Sequence, residues 1–252
     1  MKKLFVFDLD DTLIDNVHDY SESILQMCRI IINELKSTAP HVYAIIALEE
    51  ELDLQRKSQI NPKTGKSYGY SMERFPGTLR ETYRTICERA GIDTNKHVET
   101  SLYYTGMGAF DPNRYSKNIK PDAKEVVDFL RSQGDAVVLC TAGDPVVQNR
   151  KIAAMEYSGI TFEKQEIVDR KRTDVFTKLS ADLAGHDLYS VGNNYKSDIV
   201  PAMEAGFRGI YIPVETWETI GKMESIFAEV DQERCLVLHS LSDIKEKYSE
   251  LK

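Results

Sequence analysis

Apolar residues fill every position of Leu4-Phe-Val-Phe7 and stop at Asp8. A short run without polar alternation predicts a parallel strand buried on both faces. The period then changes. Over residues 17–36, Ile24, Met27, Cys28, Ile31, Ile32 and Leu35 recur at steps of three and four, which predicts an amphipathic helix with Met27 and Cys28 in its core stripe. A second helix is expected near residues 43–54. A third is expected over 78–90, where Leu79, Tyr83, Ile86, Cys87 and Ala90 share one side and Gly91 stands ready to stop it. Residues 57–66 are polar and rich in turn formers, the best loop candidate in the chain. Between residues 15 and 115 the pattern is helical throughout, with no convincing strand.

After Pro121 the texture alternates. A helix with Ala123, Val126, Val127 and Leu130 facing inward should end at Gly134, followed by an apolar strand over 136–140 and a helix from Pro145. A short strand at 167–168, a helix carrying Phe176, Leu179 and Leu183, a strand at 188–191, a helix to Ala205 and a strand at 209–212 continue the βαβ series. An apolar run at 235–238 and a closing helix from Asp243 complete the chain. The reading is an α/β protein with a Rossmann-like parallel sheet and helices on both faces. Its core is formed by residues 1–15 and 116–252, with a helical domain, 16–115, inserted between.

Composition narrows the partners. Apolar residues make up 42% and charged residues 29%, enough for an ordinary globular core. A formal net charge of -8 gives no long-range attraction to nucleic acid or an anionic membrane, so neither is expected as a partner. The four cysteines, Cys28, Cys87, Cys140 and Cys235, lie far apart without paired spacing and read as buried thiols. The five histidines show no metal-ligand spacing. The start of the chain is basic and then apolar, but Asp8 and Asp10 interrupt it too early for a signal peptide. With no apolar stretch near the ~20 residues a membrane span needs, a cytoplasmic protein is expected.

In open α/β sheets, ligands bind beyond the carboxyl ends of the strands. Polar residues at those ends are Asp8 and Asp10, Thr141, Lys171, and the segment from Gly192 to Asp198. Carboxylates, a hydroxyl and an ammonium converging at one edge suit phosphoryl transfer, in which a divalent cation cancels the repulsion between an attacking carboxylate and the ester. Asp8 would be the nucleophile. Asp10 would protonate the leaving oxygen and then activate water, and one pKa of so close a pair should be raised. Either aspartate alone could equally shape a turn or cap a helix. Asp11 and Thr12 read as turn residues, and Asp144-Pro145 as a helix start. Gly106-Met-Gly108 lacks the strand and third glycine of a dinucleotide loop.

The run Asp8-Leu-Asp10-Asp-Thr-Leu13, with Leu139-Cys-Thr141, Val191-Gly-Asn-Asn-Tyr-Lys-Ser-Asp198-Ile and Ala205-Gly206, resembles the ordered motifs of haloacid dehalogenase-like (HAD) hydrolases. The resemblance implies a Rossmann-like core with Asp8 as nucleophile and metal ligand, and Asp10 as acid/base with its carbonyl on Mg2+. Thr141 and Ala142 would hold the phosphoryl oxygens, and Asp198 would be the distal acid. Asn193 stands where the family usually has an acidic metal ligand. Lys164, Lys171 and Lys178 all precede the last motif; Lys171 is favoured because it directly follows a strand, whereas Lys178 would lie mid-helix. The insert is similar in position to the family's helical cap. There Arg74 is the candidate substrate cation, with a solvated arginine as the plainer reading, and Tyr68, Tyr70, Phe75, Tyr103 and Tyr104 line a pocket or pack the domain.

The function implied is magnesium-dependent hydrolysis of a small soluble phosphate monoester, a phosphorylated metabolite, by a monomer or homodimer. Asp10 disfavours a dehalogenase. A sugar-phosphate mutase, or a regulatory protein that binds phosphate or metal without turnover, are the alternatives.

Overall fold

Strand β1, Lys3–Phe7, is buried at every residue, as its unbroken apolar run requires of a central parallel strand. The computed structural model describes residues 2–181, 185–216 and 219–251. Five further strands join β1: β2 Ala136–Ala142, β3 Lys164–Val168, β4 Asp187–Gly192, β5 Arg208–Tyr211 and β6 Cys235–Val237. The order is β3-β2-β1-β4-β5-β6 and every pairing is parallel. Order reverses at β1, whose neighbours are β2 and β4, so the crevice beyond Phe7 is the switch point where such sheets bind ligands. Phe7 pairs with Leu139 on one side and Val191 on the other. The chain therefore leaves β1, β2 and β4 at nearly the same level.

By compactness the chain forms two units, Met1–Val17 with Pro112–Lys252, and His18–Asp111. The helical unit contains α1 Val17–Leu35, α2 Val42–Ser58, α3 Arg74–Ala90 and α4 Lys96–Met107. Met27, Cys28, Ile31 and Leu35 form the buried stripe of α1. Helix α3 begins four residues before its apolar pattern does. Pro76 sits in its first turn, where a missing N–H costs nothing because that donor has no helical partner. Gly91 ends α3 at φ 65, a left-handed value natural for glycine.

The expected loop is more ordered than its composition suggests. Lys57 and Ser58 belong to α2. Beyond them, Ile60 bridges Ser67, Asn61 N–H donates to Lys66 O at 2.7 Å, and Gly65 N–H donates to Asn61 O at 2.9 Å. Turn residues here close a bonded hairpin-like loop.

In the core unit lie α5 Pro112–Asn118, α6 Ala123–Ser132, α7 Pro145–Tyr157, α8 Thr173–Ser180, α9 Val200–Glu204, α10 Met223–Glu229 and α11 Asp243–Lys247. Leu4, Val6, Val138 and Cys140 pack with Phe176, Leu179, Ala202 and Phe207, placing α8 and α9 over one face of the sheet. Alternate residues point the other way: Phe5 stacks on Tyr189 at 5.2 Å. The helix expected to reach Ala205 is two pieces, a π-helical turn Tyr195–Ile199 and then α9. Leu183 lies outside the described residues. The four cysteines are buried and free. No described helix is long and apolar enough to cross a membrane.

Candidate active site

The turn after β1 carries Asp8 to Asn16. It closes on itself through Asp11 N–H to Ile14 O at 2.7 Å and Leu13 N–H to Leu9 O at 2.9 Å. Asp11 takes a left-handed φ of 59, which aspartate tolerates better than most residues. Its carboxylate accepts the N–H groups of Asn16 and Val17, both at 2.9 Å, at the start of α1. Asp11 thus shapes the turn, as its type suggests. Ile14 bridges Ile119, which ties the turn to the returning chain.

Asp8, Lys171 and Asp198 form one buried group. Lys171 Nζ lies 2.5 Å from Asp8 Oδ1 and 2.7 Å from Asp198 Oδ1. Lys171 arrives three residues after β3, whereas Lys178 points outward to Glu166 at 3.4 Å. Lys171, and not Lys178, is therefore the lysine beside Asp8. Burial pushes the Asp8 carboxyl up, to about 7, helped by Asp198 and Asp10 and opposed by Lys171. Burial works against the Lys171 ammonium too, but the two carboxylates outweigh it and its pKa rises.

Asp198 is set by β4 and the turn behind it. Asn194 N–H donates to its Oδ2 at 2.9 Å, and Ser190 Oγ donates to its backbone carbonyl at 2.7 Å. Gly192 is required here, since a Cβ would fall 2.4 Å from Asp198 Oδ2. Thr12 has more than a turn role. Its hydroxyl donates to Asp8 Oδ2 at 3.0 Å, lies 3.3 Å from Asn193 Oδ1, and accepts the Asn193 N–H at 3.1 Å. One side chain thereby links the first and last motifs.

Thr141 is fully buried, and its hydroxyl has no hydrogen-bond partner among the described residues. A buried hydroxyl without a protein partner is suited to donating to a ligand oxygen. Ala142, the last residue of β2, is in register with Val168. Asp10 is held by groups the sequence did not single out: Lys151 Nζ at 2.6 Å and Gln148 Nε2 at 2.8 Å, both from α7. Lys151 falls on the stripe of Val147, Ala154 and Met155. A lysine at such a position needs a buried partner, and that was the available signal.

Arg74 belongs to the helical unit. It is neither solvated nor free: its Nε lies 3.2 Å from Asp53 and its Nη1 donates to Gly69 O at 2.8 Å. The plainer reading of a solvated arginine is corrected, because an ion pair and a loop carbonyl compensate its burial.

The fold and this edge define a Rossmann-like α/β protein with a buried carboxylate where its central strand ends. Residues 2–184 match the family described as haloacid dehalogenase-like hydrolase. That is more than half of the chain, which therefore belongs to this family. Among solved structures, a HAD-like family hydrolase from Xanthomonas campestris is similar with a TM-score of 0.66 and 19% identity, covering 99% of this chain and 96% of that one. A 2-haloacid dehalogenase from Pseudomonas syringae pv. Tomato has a TM-score of 0.55 and 18% identity over 100% of both chains. A magnesium-bound HAD-hydrolase from Bacillus subtilis has a TM-score of 0.56 and 12% identity, covering 100% of this chain and 99% of that one. At these identities the likeness is one of fold. No curated protein matches the chain.

Magnesium asks for hard oxygen donors and only one or two carboxylates. Asp8 and Asp198 converge on one ammonium, and the Asn193 carbonyl oxygen shares the Thr12 hydroxyl with Asp8. No cluster of three or more acidic, histidine or cysteine groups suited to a metal occurs among the described residues. Two carboxylates and an amide oxygen are hard donors of the kind that magnesium takes.

Proposed function

We propose that this HAD-family hydrolase cleaves a small phosphate monoester through an aspartyl-phosphate on Asp8, with magnesium as its cofactor. The observation that carries this reading is Asp10. A halide departs as a stable anion and needs no proton, whereas the alkoxide of a phosphate ester does. A second carboxylate on the nucleophile's own turn, held by two donors, suits the second chemistry. Asp8, Asp198 and Asn193, with the Asp10 carbonyl, would hold the ion, which when bound supplies positive charge against the phosphoryl oxygens.

The steps use this chain's residues. An Asp8 carboxylate oxygen attacks phosphorus, the ester P–O bond breaks, and Asp10 gives its proton to the leaving oxygen. Thr141 and Lys171 donate to the phosphoryl oxygens, taking up charge as it builds. Asp10 then removes a proton from water, which attacks phosphorus and breaks the bond to Asp8. Inorganic phosphate leaves and Asp10 is protonated again.

A panel of sugar phosphates, nucleotides and small phospho-acids, with 2-haloacids beside them, tests this. Phosphate release with magnesium, abolished by chelator, is the expected result. Halide release from a 2-haloacid with no phosphate from any ester would overturn it. A phosphorylated isomer in place of phosphate would point to a mutase, and binding without turnover to a regulatory protein.

A further inference from the structure

Helix α7 sends two buried side chains into the turn after β1. Lys151 Nζ lies 2.6 Å from Asp10 Oδ1 and 2.6 Å from Asn16 Oδ1, and Gln148 Nε2 donates to Asp10 Oδ2 at 2.8 Å. Both oxygens of Asp10 are thus gripped, one by a cation and one by an amide. Each gripping residue is 3% exposed. A lysine that deep costs several kcal/mol of lost hydration unless a partner compensates, so its place there needs a reason beyond packing. Two further features are built around the grip. Gly143 leaves room for the amide, since a Cβ there would fall 2.2 Å from Gln148 Nε2. The Lys151 ammonium also lies over the ring of the buried Tyr115 at 5.6 Å.

Asp10 is itself less enclosed, with 23% of its side chain exposed. A short carboxylate on a tight turn would sample several rotamers, and a proton donor is effective only within hydrogen-bond reach of the leaving oxygen. We propose that Lys151 and Gln148 are positioning residues that fix the Asp10 carboxyl group for leaving-group protonation, with Asn16 holding Lys151 in place. Neither touches substrate; both act through Asp10. The inference rests on the phosphohydrolase reading given above.

The test compares an aryl phosphate, p-nitrophenyl phosphate, whose phenolate leaves without help, with an alkyl phosphate that the wild type turns over. The readout is the single-turnover rate of Asp8 phosphorylation for each ester. Lys151→Met should slow the alkyl ester by about 100-fold or more, the scale of general acid catalysis, and the aryl ester by less than about tenfold. Lys151→Arg should recover most of the alkyl rate, because the cation is kept. Gln148→Leu should give the same selectivity at about a tenth of the size, and it decides the matter if Lys151→Met does not fold. Equal losses on both esters in the folded variants would overturn the positioning role. A wild type inert toward both esters would remove the phosphohydrolase reading and this inference with it, so the two failures are distinguishable.

Discussion

Asp8 stands where a buried strand ends, and its chemistry follows from that place. Burial raises its proton affinity while Lys171 opposes the rise. Added positive charge would favour the carboxylate that attacks. Asp8→Asn should lower turnover at least about a thousandfold with an unchanged thermal midpoint and circular dichroism, since an amide is no nucleophile for phosphorus. Asn193 tests the charge balance. With Asp10 carrying the proton it gives to the leaving oxygen, Asp8 and Asp198 ionised and Lys171 and Lys151 protonated, the side chains sum to zero. Asn193→Asp adds a negative charge, so it should tighten magnesium binding in calorimetric titration and raise KM for the phosphate ester. Unchanged metal affinity would show that residue 193 does not touch the ion. At this scale Asp8, Asp10, Thr141, Lys171 and Asp198 were legible because polar residues after apolar strands are conspicuous. Lys151 and Gln148 were not, because their partner lies some 140 residues away and only the folded sheet brings α7 to the first turn.

Helix α2 hides a carboxyl group that its sequence pattern does not betray. Glu49 is 3% exposed, its Oε1 has no hydrogen-bond partner among the described residues, and burial, aided by Asp53 and Glu50 and opposed by Arg74, pushes its pKa up to about 8. A group that holds its proton more tightly folded than unfolded stabilises the fold fully below its ordinary value, here 4.5, and loses that contribution as pH rises through the folded value. Thermal stability should therefore fall between pH 4.5 and about 8 more in the wild type than in Glu49→Gln. At pH 8 the variant should be the more stable, by about 1–3 kcal/mol. Parallel melting curves that never diverge would contradict this. Strands were easiest to read where the run is apolar, as in β1 and β2; β3 opens on the polar Lys164, Gln165 and Glu166, so only its last two residues stood out. Element ends were harder: α3 starts before its stripe because Pro76 fits a first turn, and the polar loop hid backbone bonds such as Tyr68 N–H to Gln59 O at 2.9 Å. The π-helical turn at 195–199 was invisible, because Tyr195 and Ile199 repeat at a spacing that an α-helix would also use.

The whole molecule is a parallel-sheet core unit with a helical unit inserted after its first strand. That plan showed in the change from helical to alternating periodicity, because a parallel strand reads as an apolar block and an amphipathic helix as a stripe. Substrate choice did not show: on the proposed reading the core-unit residues described above would deal with the phosphoryl group, which all monoesters share. We expect the helical unit to discriminate among leaving groups. Tyr68→Ala or Tyr70→Ala should change relative kcat/KM among esters by about tenfold while leaving the magnesium dependence alone; equal losses on every ester would argue otherwise. Acid-quench mass spectrometry during turnover of the best ester asks whether Asp8 carries the phosphoryl group. A phosphoryl adduct on Asp8 should appear before free phosphate accumulates and be lost in Asp8→Asn. Phosphate release at full rate with Asp8 never modified would contradict it.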